Sequence, residues 1–219
     1  METKTGGTRD RAATTGRILD ALEAILIREG FSGLGVNSIA REAGVDKVLI
    51  YRYFGGMPEL IREFVLTRDV WPEYQEFLPP GMAPEKFETR RLSERFTAVL
   101  IQGEKVLRKR PLTLALLTWE MSDPDRLLAD FTRQREQQLN ELMKHACEGG
   151  AATVDNEAVF VALWAGMIHL TLLGRSRNPM GGMRPHKKAD RKRIDATIEK
   201  ITQKVLKDKK KKKPGRPRA

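Results

Sequence analysis

Cysteine is almost absent from the sequence, which excludes a fold that depends on disulfide bonds. Cys147 is the only cysteine among 219 residues, so no bridge can form within the chain. A reducing compartment is the natural setting for such a chain, and the N-terminus has no basic and apolar leader of the kind that directs secretion. We therefore expect a cytoplasmic protein.

Histidine is scarce as well, and the sequence patterns of catalysis are missing with it. His145, His169 and His186 are the three histidines, and none has the spacing from acids or from Cys147 that a metal site requires. The sequence contains no phosphate-binding loop framed by a strand and a helix, and no nucleophile elbow. It therefore predicts no enzyme, no metal site and no cofactor.

A hydrophobic run of the length that spans a membrane is also missing. The longest run, residues 158–173, contains His169 and suits a buried helix better, so we expect no membrane partner. Apolar residues make up 40% of the chain, which excludes a wholly disordered protein. The length is ample for a buried core.

Acidic residues are outnumbered only at the C-terminal end. The chain has 40 Lys+Arg and 29 Asp+Glu, a net charge of +11. Residues 184–219 hold 16 of these basic residues and 4 of the acids, a net of +12, so the rest of the chain is nearly neutral. Residues 207–219 repel one another and have nothing apolar to bury, which predicts a disordered basic tail.

Apolar residues recur at helical spacing from residue 15 onward, and no strand or internal repeat is evident. The predicted fold class is therefore all-α. Residues 1–13 lack periodicity and predict a flexible N-terminal arm, whose arginines, with Arg17, either add phosphate contacts or are simply solvated. A proline-rich stretch over residues 72–84 separates two groups of helices, residues 14–72 and residues 73–206.

The stretch of residues 35–54 carries the most information about function. Two short predicted helices meet at Gly44, whose backbone freedom permits a tight turn, and Asp46 is a good N-cap for the second helix. This pattern predicts a helix-turn-helix, which presents its second helix to the major groove of DNA. The alternative is two helices of an ordinary bundle, with Tyr51 and Phe54 in the core.

The outward side chains of the predicted second helix are candidates for DNA contacts. Lys47 and Arg52 suit phosphates or guanine edges, and Val48 and Leu49 suit thymine methyl groups. The hydroxyls of Tyr51 and Tyr53 suit phosphate oxygens. The candidate set for this region is Asn37, Ser38, Asp46, Lys47, Val48, Leu49, Tyr51, Arg52 and Tyr53.

Residues 14–70 resemble the TetR family of bacterial transcriptional regulators. The resemblance rests on these residues and their spacing: Gly30-Phe31, Ile39-Ala40-Arg41-Glu42-Ala43-Gly44-Val45, Lys47, Ile50-Tyr51-Arg52-Tyr53-Phe54 and Glu59-Leu60. It implies a three-helix DNA-binding domain over residues 14–72 and a helical ligand-binding and dimerisation domain over residues 73–206. It also implies a homodimer on a palindromic operator, usually a repressor, that a small-molecule effector releases.

Three positions depart from the pattern of that family. Gly35 stands where the family usually has a Ser or Thr cap, Asp46 stands where Ser is usual, and Leu49 stands where Thr is usual. These changes leave the scaffold intact, but they leave the base preference open.

The basic tail is a second feature that suits nucleic acid. Residues 209–218 resemble an AT-hook, whose Gly-Arg-Pro core lies in a narrow A·T minor groove, with Arg216 and Arg218 as candidate contacts. A solvated tail that binds any polyanion is the equal alternative, and either form adds salt-sensitive affinity. If the tail dominates binding, the protein is an architectural nucleoid-type DNA-binding protein instead of a regulator.

Two further residue sets are expected in the C-terminal helices. A wide apolar face is either a bundle core, which we favour, or the lining of a pocket for an apolar or amphipathic effector, with His169 expected to be a hydrogen-bonded core residue. This face comprises Trp119, Met121, Phe131, Trp164, Met167 and His169.

The last two long helices are expected to form a four-helix dimer interface, unless the final helix packs within its own chain. The residues expected there are Phe160, Trp164, Ile194, Ile198, Ile201 and Val205.

Overall fold

A computed structural model describes residues 6–122, 127–148 and 155–206, with side chains from residue 10 onward. In these ranges the chain forms ten α-helices and two short 3-10 helices and contains no β-strand. The prediction of an all-α fold is confirmed. The basic tail, with Arg216 and Arg218, lies outside the described residues.

The helices follow one another with short connections. Their bounds are α1 Gly6–Glu29, α2 Val36–Ala43, α3 Lys47–Phe54, α4 Met57–Thr67, α5 Pro84–Glu88, α6 Leu92–Arg108, α7 Pro111–Glu120, α8 Ala129–Cys147, α9 Asn156–Ser176 and α10 Lys188–Val205. Proline occupies the first turn of α4, α5 and α7, where its missing N–H breaks no intrahelical hydrogen bond.

The first helix is longer than the sequence analysis predicts. It begins at Gly6, so the prediction of a flexible arm is wrong for residues 6–13. Residues 9–13 contain no proline or glycine, and charged and alanine residues continue a helix readily once later turns are packed. Apolar periodicity could not reveal this segment, because residues 10–13 are exposed all round.

The chain forms two compact units, and the first combines two separate stretches of sequence. It consists of Met1–Trp71 and Arg110–Glu136, so α7 and the beginning of α8 join the helix-turn-helix helices. The chain therefore passes between the units after Trp71, after Lys109 and after Glu136. The contacts are specific: the Phe31 and Trp119 rings stack with centroids 4.5 Å apart, and the Thr113 hydroxyl donates to the Val70 carbonyl at 2.9 Å.

The part of the first unit's core that packs around α1 and α2 contains many aliphatic side chains. One face of α1 is fully buried through Ile18, Leu22 and Ile25, and Ile39 of α2 and Leu60 of α4 are buried as well. These side chains recur every three or four residues along α1, so a single stripe of that helix meets the others.

The second unit consists of Pro72–Lys109 and Gln137–Ala219, and its core is built from aromatic rings. Phe160 of α9 meets Phe96 of α6 edge-on, with centroids 5.4 Å apart, and stacks on Trp164 at 5.6 Å. Phe77 meets Trp164 edge-on at 5.2 Å. The ring of Trp164 is therefore confined on two sides.

A buried arginine closes the C-terminal end of α8 in the same unit. Arg95 of α6 is 4% exposed, and its guanidinium donates to the carbonyls of His145, at 2.7 Å, and Glu148. The last carbonyls of a helix have no intrahelical partner and carry partial negative charge. Arg95 therefore satisfies groups that would otherwise be buried without a donor.

Replacing Gly103 of α6 by alanine is expected to destabilise the second unit. A Cβ at this position would lie 3.0 Å from both Met167 Cε and Trp164 Cζ3, and the confined Trp164 ring cannot move away. We expect Gly103→Ala to lower the free energy of unfolding by about 1–3 kcal/mol, measured by urea denaturation. The control is Gly16→Ala in α1, where nothing lies within 4 Å of the new Cβ and alanine is expected to be neutral or stabilising. Equal losses in the two variants would contradict the steric explanation.

Candidate nucleic-acid interface

The turn between α2 and α3 is set by one glycine and one aspartate. Gly44 has φ +63° and ψ +41°, a left-handed conformation that side chains disfavour, and the Val45 N–H donates to the Ala40 carbonyl at 3.0 Å. Asp46 Oδ1 then accepts from the Val48 N–H at 2.8 Å, which caps α3. Both roles agree with the sequence prediction.

The position of α3 is fixed by buried contacts and by an ion pair behind it. Ile50 is fully buried, and Ala40 and Ala43 of α2 are buried beside the turn. Behind α2, Arg28 of α1 forms a two-pronged pair with Glu42, with N–O distances of 3.1 and 2.9 Å. These hydrogen bonds from Arg28 lower the pKa of Glu42, so this carboxylate stays ionised and paired.

Four side chains form the outer face of α3: Lys47, Val48, Tyr51 and Arg52. Val48 is 57% exposed and Tyr51 is 54% exposed, which makes them unusual among large apolar or aromatic residues. The helix itself contains no acidic residue, and the Asp46 side chain is engaged in capping. The outer face of α3 therefore combines two cations with two uncovered apolar surfaces.

Some of the other residues predicted to contact DNA do not lie on the outer face of α3. Leu49 and Tyr53 are half-buried, so neither lies on the outer face. The Ser38 hydroxyl is turned back within 2.8 Å of the Gly33 carbonyl and 2.9 Å of the Gly35 carbonyl. Asn37 is exposed.

Arg11 of α1 lies beside α3. The Arg11 guanidinium lies 5.0 Å from the centroid of the Tyr53 ring, and that of Arg52 lies 5.8 Å from it. Stacking of this kind is attractive because the ring face is negative. Arg11 is exposed, so its charge adds to that of α3. The sequence could not pair Arg11 with Tyr53, because 42 positions separate them.

The residues predicted to line an effector pocket are divided between the two units. Trp119, Met121 and Phe131 belong to the first unit, and the other three belong to the second. Met121 is 77% exposed and His169 is exposed, so the prediction of an inward position is wrong for both. The four remaining side chains are buried in their cores, the role that we favour from sequence.

The residues predicted for the dimer interface also face different ways. Phe160 and Trp164 are buried within the second unit, against Phe96 and Phe77, so they are not available to a partner chain. Ile194 and Ile198 line a narrow cleft beside Leu100 of α6. Ile201 and Val205 are 40% and 37% exposed.

The outer face of α9 consists instead of small or apolar residues and one histidine: Ala158, Val161, Ala162, Ala165, Gly166 and His169. Only 22% of the apolar window of this helix is buried, so the expectation of a buried helix is wrong for most of it. Among the described helices, α9 alone is long and apolar enough to cross a membrane by length and composition. A helix that is apolar on both sides needs a second covering surface.

His145 and Cys147, near the end of α8, are both partly buried. His145 Nδ1 pairs with Glu88, and its ring stacks on Tyr74 with centroids 4.9 Å apart. Burial raises the pKa of the Cys147 thiol to about 12, which leaves it protonated and unreactive at neutral pH. Within the described ranges, no three histidine, cysteine or acidic side chains form a group that could hold a metal ion.

Comparison with known proteins places the resemblance in the first unit. Residues 18–64 match the family model described as bacterial regulatory proteins, tetR family. The HTH-type transcriptional repressor SCO4008 of Streptomyces coelicolor is 44% identical over 52 residues, which cover 24% of this chain and 27% of that protein. The chain thus spans about a quarter of that relative.

Two longer similarities extend over both units. The HTH-type transcriptional regulator AqdR of Rhodococcus erythropolis is 26% identical over 161 residues, covering 70% of this chain and 72% of that protein. The crystal structure of a TetR transcriptional regulator from Agrobacterium tumefaciens superposes with a TM-score of 0.60 at 15% identity, over 91% of this chain and 96% of that one. At this identity, the superposition shows a shared fold.

Removing the N-cap of α3 is expected to destabilise the protein. Asp46→Ala deletes the acceptor of the Val48 N–H, and we expect a loss of about 1 kcal/mol in the free energy of unfolding, measured by urea denaturation. Asp46→Ser is the control, because a serine hydroxyl can accept the same hydrogen bond. If the serine variant were as unstable as the alanine variant, capping would not be the role of Asp46.

Proposed function

We propose that this chain, whose residues 18–64 carry the DNA-binding domain of the TetR family, is a transcriptional regulator that binds DNA as a homodimer and represses transcription. The observation that carries the proposal is the outer face of α3. It is an acid-free helix surface with two cations, held rigidly by a capped turn and a buried Ile50. Such a surface fits the major groove.

Each residue of the interface has a distinct role in this proposal. Lys47, Val48 and Arg52 read base edges, while the hydroxyl of Tyr51 binds a phosphate oxygen. Arg11, held on the ring of Tyr53, adds a phosphate contact from α1. Asn37 is exposed at the start of α2 and positions the protein on the backbone.

The basic tail adds affinity without sequence preference in this proposal. Residues 207–219 contain eight basic residues and one acid, and each phosphate that they neutralise releases counterions. Arg216 and Arg218 would lie in an adjacent minor groove if the tail binds as an AT-hook does. A chain that binds chromosomal DNA in this way works at the nucleoid, in the cytoplasm.

Dimerisation through α9 is the second part of the proposal. The outer face of α9 is a stripe of small residues next to Val161, which is 50% exposed. Small side chains let two helices approach closely, and a second copy of the same face would cover the apolar surface. Ile201 and Val205 of α10 are further exposed apolar side chains of the same unit.

Release by an effector is the third part. A narrow cleft in the second unit is lined by Leu100, Met167, Ile194 and Ile198, with Asp195 beside them. Burial raises the pKa of Asp195. Glu104 and Arg191 also line the cleft, and its volume is about 30 Å³, so it must open to admit an effector. An amphipathic molecule that opens it would act by binding better to a state whose two α3 helices are wrongly spaced.

DNA binding tests the function directly. We would compare the full chain with a truncation after Leu206, by fluorescence anisotropy at two salt concentrations, on DNA upstream of its own gene and on a scrambled duplex. We expect both proteins to prefer the upstream DNA, with weaker and less salt-dependent binding after truncation. Preference that vanishes with the tail, or that never exists, would contradict a regulator that reads sequence through α3.

Charges on the outer face of α9 are expected to separate the dimer. Ala162→Glu combined with Ala165→Glu would bury carboxylates between the two copies, which is costly without partners. We expect the full chain to sediment as a dimer, the double variant as a monomer, and DNA affinity to fall with it.

Ala129→Glu is the control for this experiment, because Ala129 is an exposed alanine at the start of α8 and an added acid there is favourable. A parent chain that sediments as a monomer, or that binds lipid vesicles through α9 instead, would refute the proposed interface.

A further inference from the structure

The outer face of α3 contains groups that can recognise only some of the four bases. Adenine is read by the paired donor and acceptor of Asn or Gln, and the cytosine amino group is read by a carboxylate. None of the eight residues of α3, KVLIYRYF, is Asn, Gln, Asp or Glu. Asp46, just before the helix, has its carboxylate engaged with the Val48 N–H at 2.8 Å.

Two kinds of base remain for direct reading by this face. Lys47 and Arg52 can donate to the two acceptors of guanine. Val48 has only methyl groups, and the one feature in the major groove that they match is the C5 methyl of thymine. Tyr51 lies three positions later on the same face and lengthens the apolar surface by its ring.

The exposure of Val48 separates it from the other apolar candidate. Val48 is 57% exposed, so more than half of its surface is uncovered in the unbound protein. Leu49 is half-buried and remains part of the packing around α3. An uncovered valine gains hydrophobic contact only when something apolar meets it, and a thymine methyl does so in a groove that is otherwise polar.

We propose that Val48 is a specificity-determining residue of α3 and that it reads the methyl group of a thymine in each half-site. The proposal rests on the proposed function, since it requires α3 to enter the major groove. It predicts a half-site in which a contacted thymine lies next to a guanine contacted by Lys47 or Arg52.

Replacing thymine by deoxyuridine tests the proposal, because the two bases differ only by that methyl group. The probe is a duplex enriched from random DNA by the full chain, with its thymines replaced one at a time. Binding is measured by fluorescence anisotropy. We expect one thymine in each half-site at which the replacement weakens binding about fourfold, and no effect at the others.

The Val48→Ala variant identifies the residue that reads the methyl. It should bind the parent duplex more weakly than the wild-type chain, and it should bind the parent and the deoxyuridine duplexes equally. Leu66→Ala is the matched control, since Leu66 is 54% exposed but lies on α4. This control should keep the full response to deoxyuridine.

The possible failures are distinguishable. If no duplex is enriched over random DNA, the proposed function itself fails. If a duplex is enriched but every deoxyuridine replacement is silent, α3 reads sequence without thymine methyls and the inference is wrong. If the response persists in Val48→Ala, another residue contacts the methyl, and the assignment to Val48 is wrong.

Discussion

The burial of Ile50 is the constraint on which the interface depends. An eight-residue helix is too short to persist alone in water, so α3 exists because Ile50 is packed into the first unit and because Asp46 caps it. With 3.6 residues per turn, side chains two positions apart point to nearly opposite sides of a helix, so fixing Ile50 inward turns Val48 and Arg52 outward. The chemistry that α3 exposes is therefore decided by a buried side chain.

The scaffold behind α3 resists rotation at several points. The ion pair between Arg28 and Glu42 joins α1 to α2, and the pair between Arg68 and Asp20 joins the end of α4 to α1. Exposed pairs of this kind contribute little stability individually. Their value here is geometric, since they join helices whose shared core is a narrow aliphatic stripe.

The outer face of α9 is apolar, and nothing within its own unit covers it. The inward face is fully used by Phe160, Trp164 and Met167, and the outward face is built from alanines and a valine. Water is a poor solvent for such a surface. In the dimer that we propose, a second copy of the chain covers this surface with the same face of its own α9.

The sequence predicts the motif well, and the orientations of apolar helices poorly. Gly44 and Asp46 each have a local physical role that one residue type fulfils best, so the turn could be read directly. By contrast, α9 is apolar on most sides, so its sequence does not separate a face that packs within the chain from a face that meets a partner. For this reason the sequence analysis assigns Phe160 and Trp164 to a partner interface and His169 to the core, whereas the structure buries the first two and exposes the third. The contact of Arg11 with Tyr53 and the cap supplied by Arg95 join distant positions and leave no local pattern.

The three tryptophans, which are intrinsic fluorophores, are distributed over both units. Trp71 and Trp119 belong to the first unit, and Trp164 lies in the aromatic core of the second. Trp119 is stacked on Phe31, in the segment that leads into α2, so its emission is sensitive to any shift of α7 against that segment. Each unit thus contains at least one intrinsic fluorophore, and replacing the tryptophans of one unit by phenylalanine would isolate the emission of the other.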